Sequence, residues 1–172
     1  MPLFLGMPVG RTMSAPPASA ARVLEEHHQL LDELLATVRA ASADKAFAAA
    51  RGALDWFRVE LDRHVRVEEQ LMFPLFDGVM GRSEGPTGFR CAEHRQINAL
   101  LDRIAASLAQ DRDSGEELAE LVALFETHNR KEEQMFYPLI HRRLADSDQA
   151  ALFEDARRLL DAPLAGDGGP LR

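Results

Sequence analysis

One cysteine, one tryptophan and one tyrosine stand among 172 residues. With Cys91 alone, neither an intrachain disulfide nor a cluster of thiolate metal ligands is possible, and the composition fits a reducing, cytoplasmic compartment. Basic residues are outnumbered, 20 against 28 acidic ones, for a net charge of -8. That balance lacks the basic surface phosphate backbones require, so nucleic acid is excluded as a partner. No apolar run approaches the roughly 20 residues that span a bilayer, so no membrane partner is expected either. The apolar opening MPLFLGMPVG has no basic n-region and is broken by Gly6, Pro8 and Gly10. It reads as a disordered leader over residues 1–18 rather than a signal peptide. Strand-type alternation is nearly missing too.

What remains is helical periodicity, four times over. A first helix of about residues 19–41 carries Leu24, His27, Leu31, Leu34 and Val38 in its apolar stripe. A second, from about Asp44 to the late seventies, carries Leu54, Phe57, Leu61, His64, Glu68, Leu71 and Leu75. Beyond a glycine-rich loop, GRSEGPTG, the third holds His94, Ile97, Leu101, Ile104 and Leu108. The fourth opens at Ser114, which with Glu117 forms a capping box, and carries Leu118, Leu121, Phe125, His128, Glu132, Met135 and Leu139. Pro74 and Pro138 fall inside the second and fourth patterns, where each removes a backbone donor and predicts a kink. A short terminal helix and a frayed tail complete 146–172.

The two halves repeat. HVRVEEQLMFPL (64–75) aligns without gaps on HNRKEEQMFYPL (128–139), and EHHQ (26–29) aligns on EHRQ (93–96), at offsets of 64 and 67 residues. A duplicated helical hairpin with short connections predicts an all-α, up-down-up-down four-helix bundle over residues 19–145.

The polar intruders in these stripes fall at one height. Counting from each hairpin turn at ~1.5 Å per residue, His27, His64, His94 and His128 all lie roughly 20–30 Å from the turns. Glu68 and Glu132 follow one turn along the same faces. A lone stripe histidine is usually a hydrogen-bonded core residue. Six ionisable groups in one layer are different, because each costs several kcal/mol to bury unpaired and no lysine or arginine shares the stripes. A pair of cations satisfies all six. Imidazole and carboxylate without thiolate suit iron, manganese or zinc, with iron first; two carboxylates able to bridge favour two metals. Two histidines per metal, shared carboxylates and an oxo or hydroxo bridge leave each metal one open position.

The order His, His-x-x-x-Glu, His, His-x-x-x-Glu resembles the hemerythrin-like (HHE cation-binding) family, in its bacterial duplicated form. The matching residues are His27, His64 with Glu68, His94, and His128 with Glu132, over roughly residues 20–143. The resemblance implies a non-haem di-iron centre with bridging carboxylates and terminal histidines. It also implies the family's tasks: binding or sensing dioxygen, handling nitric oxide, or storing iron. Oxygen-carrying members use a fifth histidine where this chain has Asn98, and an aspartate at i+5 where it has Glu132 at i+4. Both departures turn the expectation from simple oxygen carriage toward peroxide, nitric oxide or iron-transfer chemistry. The competing readings are a di-iron oxidoreductase acting on peroxide or oxygen, served by a redox partner, and a structural bundle holding zinc or no metal.

Other residues carry weaker signals. His28 is the alternative to His27, or a fifth ligand, although it aligns on Arg95. Cys91 and Tyr137 read as core, and His141 as a surface residue. Glu69 and Glu133 sit one residue off the ligand face, either bonded to the ligand imidazoles or solvated.

Overall fold

The computed structural model describes residues 19–81 and 87–162. The expected leader, most of the glycine-rich loop and the tail from 163 onward lie outside the described residues. Every regular element among the described residues is helical. They are α1 (Ala20–Ala43), α2 (Phe47–Val67), α3 (Phe73–Met80), α4 (Thr87–Leu108), α5 (Gly115–Lys131), α6 (Tyr137–Arg143) and α7 (Asp146–Leu160). Two π-helical turns, Glu68–Met72 and Glu132–Phe136, splice α2 to α3 and α5 to α6 without a break.

Local chemistry sets the helix ends. Ser19 caps α1, its hydroxyl accepting from the Arg22 N–H at 3.3 Å. The expected capping box at Ser114 does not form. Asp113 accepts the Gly115 N–H instead, while Ser114 turns inward and meets Ser42 Oγ at 3.4 Å.

The π turns explain how two prolines fit inside long helices. Pro74 and Pro138 cannot donate to the carbonyl four residues back. The preceding residues reach one residue further: the Phe73 N–H bonds to the Glu68 carbonyl, and the Tyr137 N–H to that of Glu132. Each extra residue advances the buried face by one position, a phase change an unbroken 3.6-residue period does not anticipate. Beyond the histidine-glutamate steps the stripe is therefore not Leu71, Leu75, Met135 and Leu139. Met72, Phe73 and Phe76 are buried around the first π turn, and Phe136, Tyr137 and Ile140 around the second, while Met135 is 65% exposed and Leu75 36%. In α1 the stripe likewise runs Leu31, Leu35, Val38, with Leu34 partly buried.

α1 packs along α2 and α4 along α5; α2 also meets α4, and α1 meets α5. α7 lies across α1, α2 and the first π turn. Two apolar clusters result. The larger gathers Leu31, Leu35, Leu54, Phe57, Leu61, Ile97, Ile104, Leu121 and Phe125. The smaller gathers Leu24, Val67, Met72, Phe73, Phe76, Phe136, Tyr137 and Ile140, closed by Leu152, Ala156 and Leu160 of α7. The histidines and glutamates occupy the layer between them. Phe57 is wholly buried and meets the Phe125 ring edge-on at 5.7 Å. Phe57→Ala is expected to cost about 3–5 kcal/mol in urea unfolding. Its neighbour Trp56 is 60% exposed, and Trp56→Ala should stay within about 0.5 kcal/mol.

Candidate metal centre

Four imidazoles and two carboxylates converge between the clusters, all buried. α1 supplies His28, α2 His64, α4 His94 and α5 His128; the two π turns open with Glu68 and Glu132. Glu68, His94, His128 and Glu132 offer ligand atoms mutually within 4.8 Å, and so do His28, His64 and Glu132.

Each carboxylate faces both histidine pairs. Glu68 Oε2 lies 3.2 Å from His94 Nε2, and its Oε1 lies 3.7 Å from His64 Nε2. Glu132 Oε1 lies 3.0 Å from His128 Nε2, and its Oε2 lies 3.5 Å from His28 Nε2.

The outer ring nitrogens decide what the inner ones present. The His28, His94 and His128 Nδ1–H groups donate to Glu133 at 2.8 Å, Glu69 at 2.7 Å and Glu93 at 2.9 Å. For His64 the chain is longer. Glu60, ion-paired with Arg63 at 2.6 Å, accepts from His27 Nε2 at 3.2 Å. His27 Nδ1 is thereby left an acceptor, 3.3 Å from His64 Nδ1, which donates to it. A ring whose single proton sits on the outer nitrogen turns an Nε2 lone pair inward. The His28 and His64 Nε2 atoms face one another at 3.0 Å. Against these lone pairs and four carboxylate oxygens the layer holds one hydroxyl donor, Tyr137, 2.7 Å from Glu68 and 3.4 Å from Glu132. Glu68 Oε2, His94 Nε2 and Glu132 Oε1 have no hydrogen-bond partner at all. Acceptors crowded together without donors are what a cation fits.

The charge states tell the same story. Burial pushes the His64 and His128 rings down to about 4. Burial opposes the charge on His94 as well, but the Glu68 and Glu69 carboxylates outweigh it and lift the ring to about 9. Burial and the neighbouring Glu68 charge push Glu132 well above the usual range. Glu68 is held well below it, burial being outweighed by His64 and His94. The Glu68 carboxylate contributes to both upward shifts, on His94 and on Glu132.

Of the residues expected from sequence, the structure brings together His64, Glu68, His94, His128 and Glu132. It does not bring His27 into either cluster; His28 takes that place, one residue on. The first helix repeats one residue away from the register that EHHQ over EHRQ predicts. His28, Leu31, Leu35 and Val38 correspond to His94, Ile97, Leu101 and Ile104, at an offset of 66 residues rather than 67. The matching order of three- and four-residue steps was the available signal. Glu69 and Glu133 bond the imidazoles rather than facing bulk water alone. Glu60 carried no signal in the repeat, since its counterpart 64 residues on is Leu124. Asn98 is exposed and puts no donor at the site, while His141 is likewise exposed. Cys91 packs against the smaller cluster, and burial together with Glu69 raises its thiol, the reverse of an activated one.

Residues 19–140 match the hemerythrin HHE cation binding domain, a span that takes in all six converging side chains. The chain belongs to the hemerythrin HHE family. No curated protein and no solved structure matches it. A cation-binding assignment agrees with a buried layer of unsatisfied acceptors. No helix among the described residues is long and apolar enough to cross a membrane.

Because burial and the Glu68 charge push Glu132 toward its neutral form, a neutral amide can stand in for it. Glu132→Gln is expected to stay within about 1 kcal/mol of wild-type stability in chelator-treated protein. Urea unfolding showing a loss above about 3 kcal/mol would make Glu132 half of a structural ion pair instead.

Proposed function

We propose that this hemerythrin domain holds two iron ions, with His28 and His64 on one, His94 and His128 on the other, and Glu68 and Glu132 bridging them. The observation that carries this reading is the orientation of the carboxylates, each with one oxygen toward each histidine pair. The proposed frame is a four-helix, up-down-up-down bundle over residues 19–145, with α7 as an addition. Its support is the order in which the helices pass the layer. α1 and α4 run from the smaller cluster (Leu24, Cys91) to the larger (Leu31, Ile97), and α2 and α5, the latter continued by its π turn, run from the larger (Leu61, Phe125) to the smaller (Val67, Phe136).

Two histidines and two shared carboxylates give each metal four protein donors, short of the six of an octahedral ion. Bound iron would supply a coordination site for a diatomic molecule and electrons to reduce it. The chain decides what arrives there. Phe73, Phe76 and Phe136 wall one side and exclude bulk water. On the far side of Tyr137, away from the six converging side chains, Ser19, Met72 and Ile140 line a half-open pocket of about 20 Å³. We therefore assign the domain to binding dioxygen or nitric oxide, or to holding iron, in sensing, storage or stress protection. The second reading, an oxidoreductase consuming peroxide or oxygen, is favoured by the Tyr137 phenol, a proton donor set against Glu68.

Aerobically purified protein should carry about two iron per chain and the near-ultraviolet absorption of a coupled ferric pair. Glu68→Ala or Glu132→Ala should abolish dinuclear loading, while His141→Ala leaves it intact. Metal content below about one per chain, with melting unchanged by chelator, would overturn the metal reading. Steady-state peroxide consumption by the iron-loaded protein would move the assignment to the oxidoreductase; stoichiometric binding that then stops keeps it with the binding protein.

A further inference from the structure

The two halves of the centre are not backed alike. Around His94 and His128, both outer nitrogens donate directly to carboxylates, Glu69 and Glu93. Glu93 is kept ionised by Arg90 at 2.7 Å and Lys131 at 2.6 Å. Around His28 and His64, only His28 has a carboxylate, Glu133. His64 donates to His27, a neutral ring, and the nearest carboxylate on that path, Glu60, stands one imidazole further out. In the corrected register His27 occupies the position that Glu93 holds in the other half, and Glu60 the position of Leu124. An anion accepting the Nδ1–H pushes electron density through the ring onto Nε2 and strengthens it as a ligand. A neutral acceptor pushes less.

Resting on the dinuclear reading above, we infer that His27 makes the two metal positions unequal: the one served by His94 and His128 fills first, and the one served by His28 and His64 fills second and releases its ion more readily. His27 acts here as a positioning residue. It holds the His64 ring with Nε2 inward, and as a neutral acceptor it weakens that ligand. Its own second nitrogen is fixed by Glu60, which Arg63 anchors in turn while also donating to the Ala162 carbonyl at 3.0 Å. The Glu60–Arg63–His27 group also lines a surface cleft of about 350 Å³ with Val23, Leu30 and Arg157, so the acceptor of His64 is reached from the surface.

The test titrates metal-free protein with cobalt(II), without oxygen, against a competing chelator, and reads visible absorption. Two steps are expected, with dissociation constants at least about tenfold apart. Shared carboxylates alone can separate two steps, so the variants decide. His27→Glu combined with Glu60→Leu copies the other half and should tighten the second step, shrinking the gap to about threefold or less. Glu93→Gln removes the carboxylate from the favoured pair and should weaken the first step about tenfold or more, leaving the second. Circular dichroism checks that each variant keeps its helices; if the double variant does not fold, Glu93→Gln alone carries the decision. Two cobalt ions bound with equal affinity in the wild type would overturn the inference while leaving the dinuclear centre standing. So would a gap unmoved by these variants. Failure to bind any metal would overturn both.

Discussion

Everything in this domain turns on where the outer nitrogens of four imidazoles point. Each Nδ1–H is held by an acceptor at the edge of the helical core: Glu133, Glu69, Glu93, and His27 backed by Glu60. Those bonds fix which nitrogen carries a ring's single proton, and so they turn Nε2 lone pairs onto two carboxylates in a layer with one hydroxyl donor. In isolation that layer destabilises the fold, because buried acceptors facing acceptors recover little of their lost hydration. The apolar clusters on either side hold it together, and the family to which the chain belongs gives the reason for keeping it. A bound cation would satisfy acceptors that the layer leaves without partners.

The π turns are the second constraint. They begin at Glu68 and Glu132, the residues that the proposed centre needs as bridges, and they end just before the prolines. One extra residue per turn rotates everything beyond it. It carries Tyr137 inward, 2.7 Å from Glu68, and turns Met135 out. Proline thus acts here less as a helix breaker than as a device that makes a wider turn the better solution. The widened turn sets both the Glu68 and Glu132 carboxylates and the aromatic wall beside them.

The pseudo-symmetry of the two halves is close in the core and broken at the edge. Leu31, Leu35 and Val38 pack as Ile97, Leu101 and Ile104 do, and His28 as His94 does. At the edge His27 and Glu60 stand where the other half has Glu93 and Leu124. A duplicated sequence makes two equivalent half-sites by default, so a difference in the partner of one ring is the simplest way to make two metal positions unequal without altering a single proposed ligand.

The sequence by itself determined the helical class, the repeat and the chemistry of the layer. Periodicity and ligand-type residues are written locally, and five of the six converging side chains were legible from spacing alone. It did not determine whether His27 or His28 faces inward. Adjacent residues on a helix differ by only about 100°, and steps of three or four residues are both allowed. Nor did it locate the buried face beyond Glu68 and Glu132, because the period changes there for a reason that lies in the backbone hydrogen bonds. The partners Glu60, Glu69, Glu93 and Glu133 could be chosen only by tertiary structure. Each reaches across to a ring on another helix, and that distance exists only once the helices have packed.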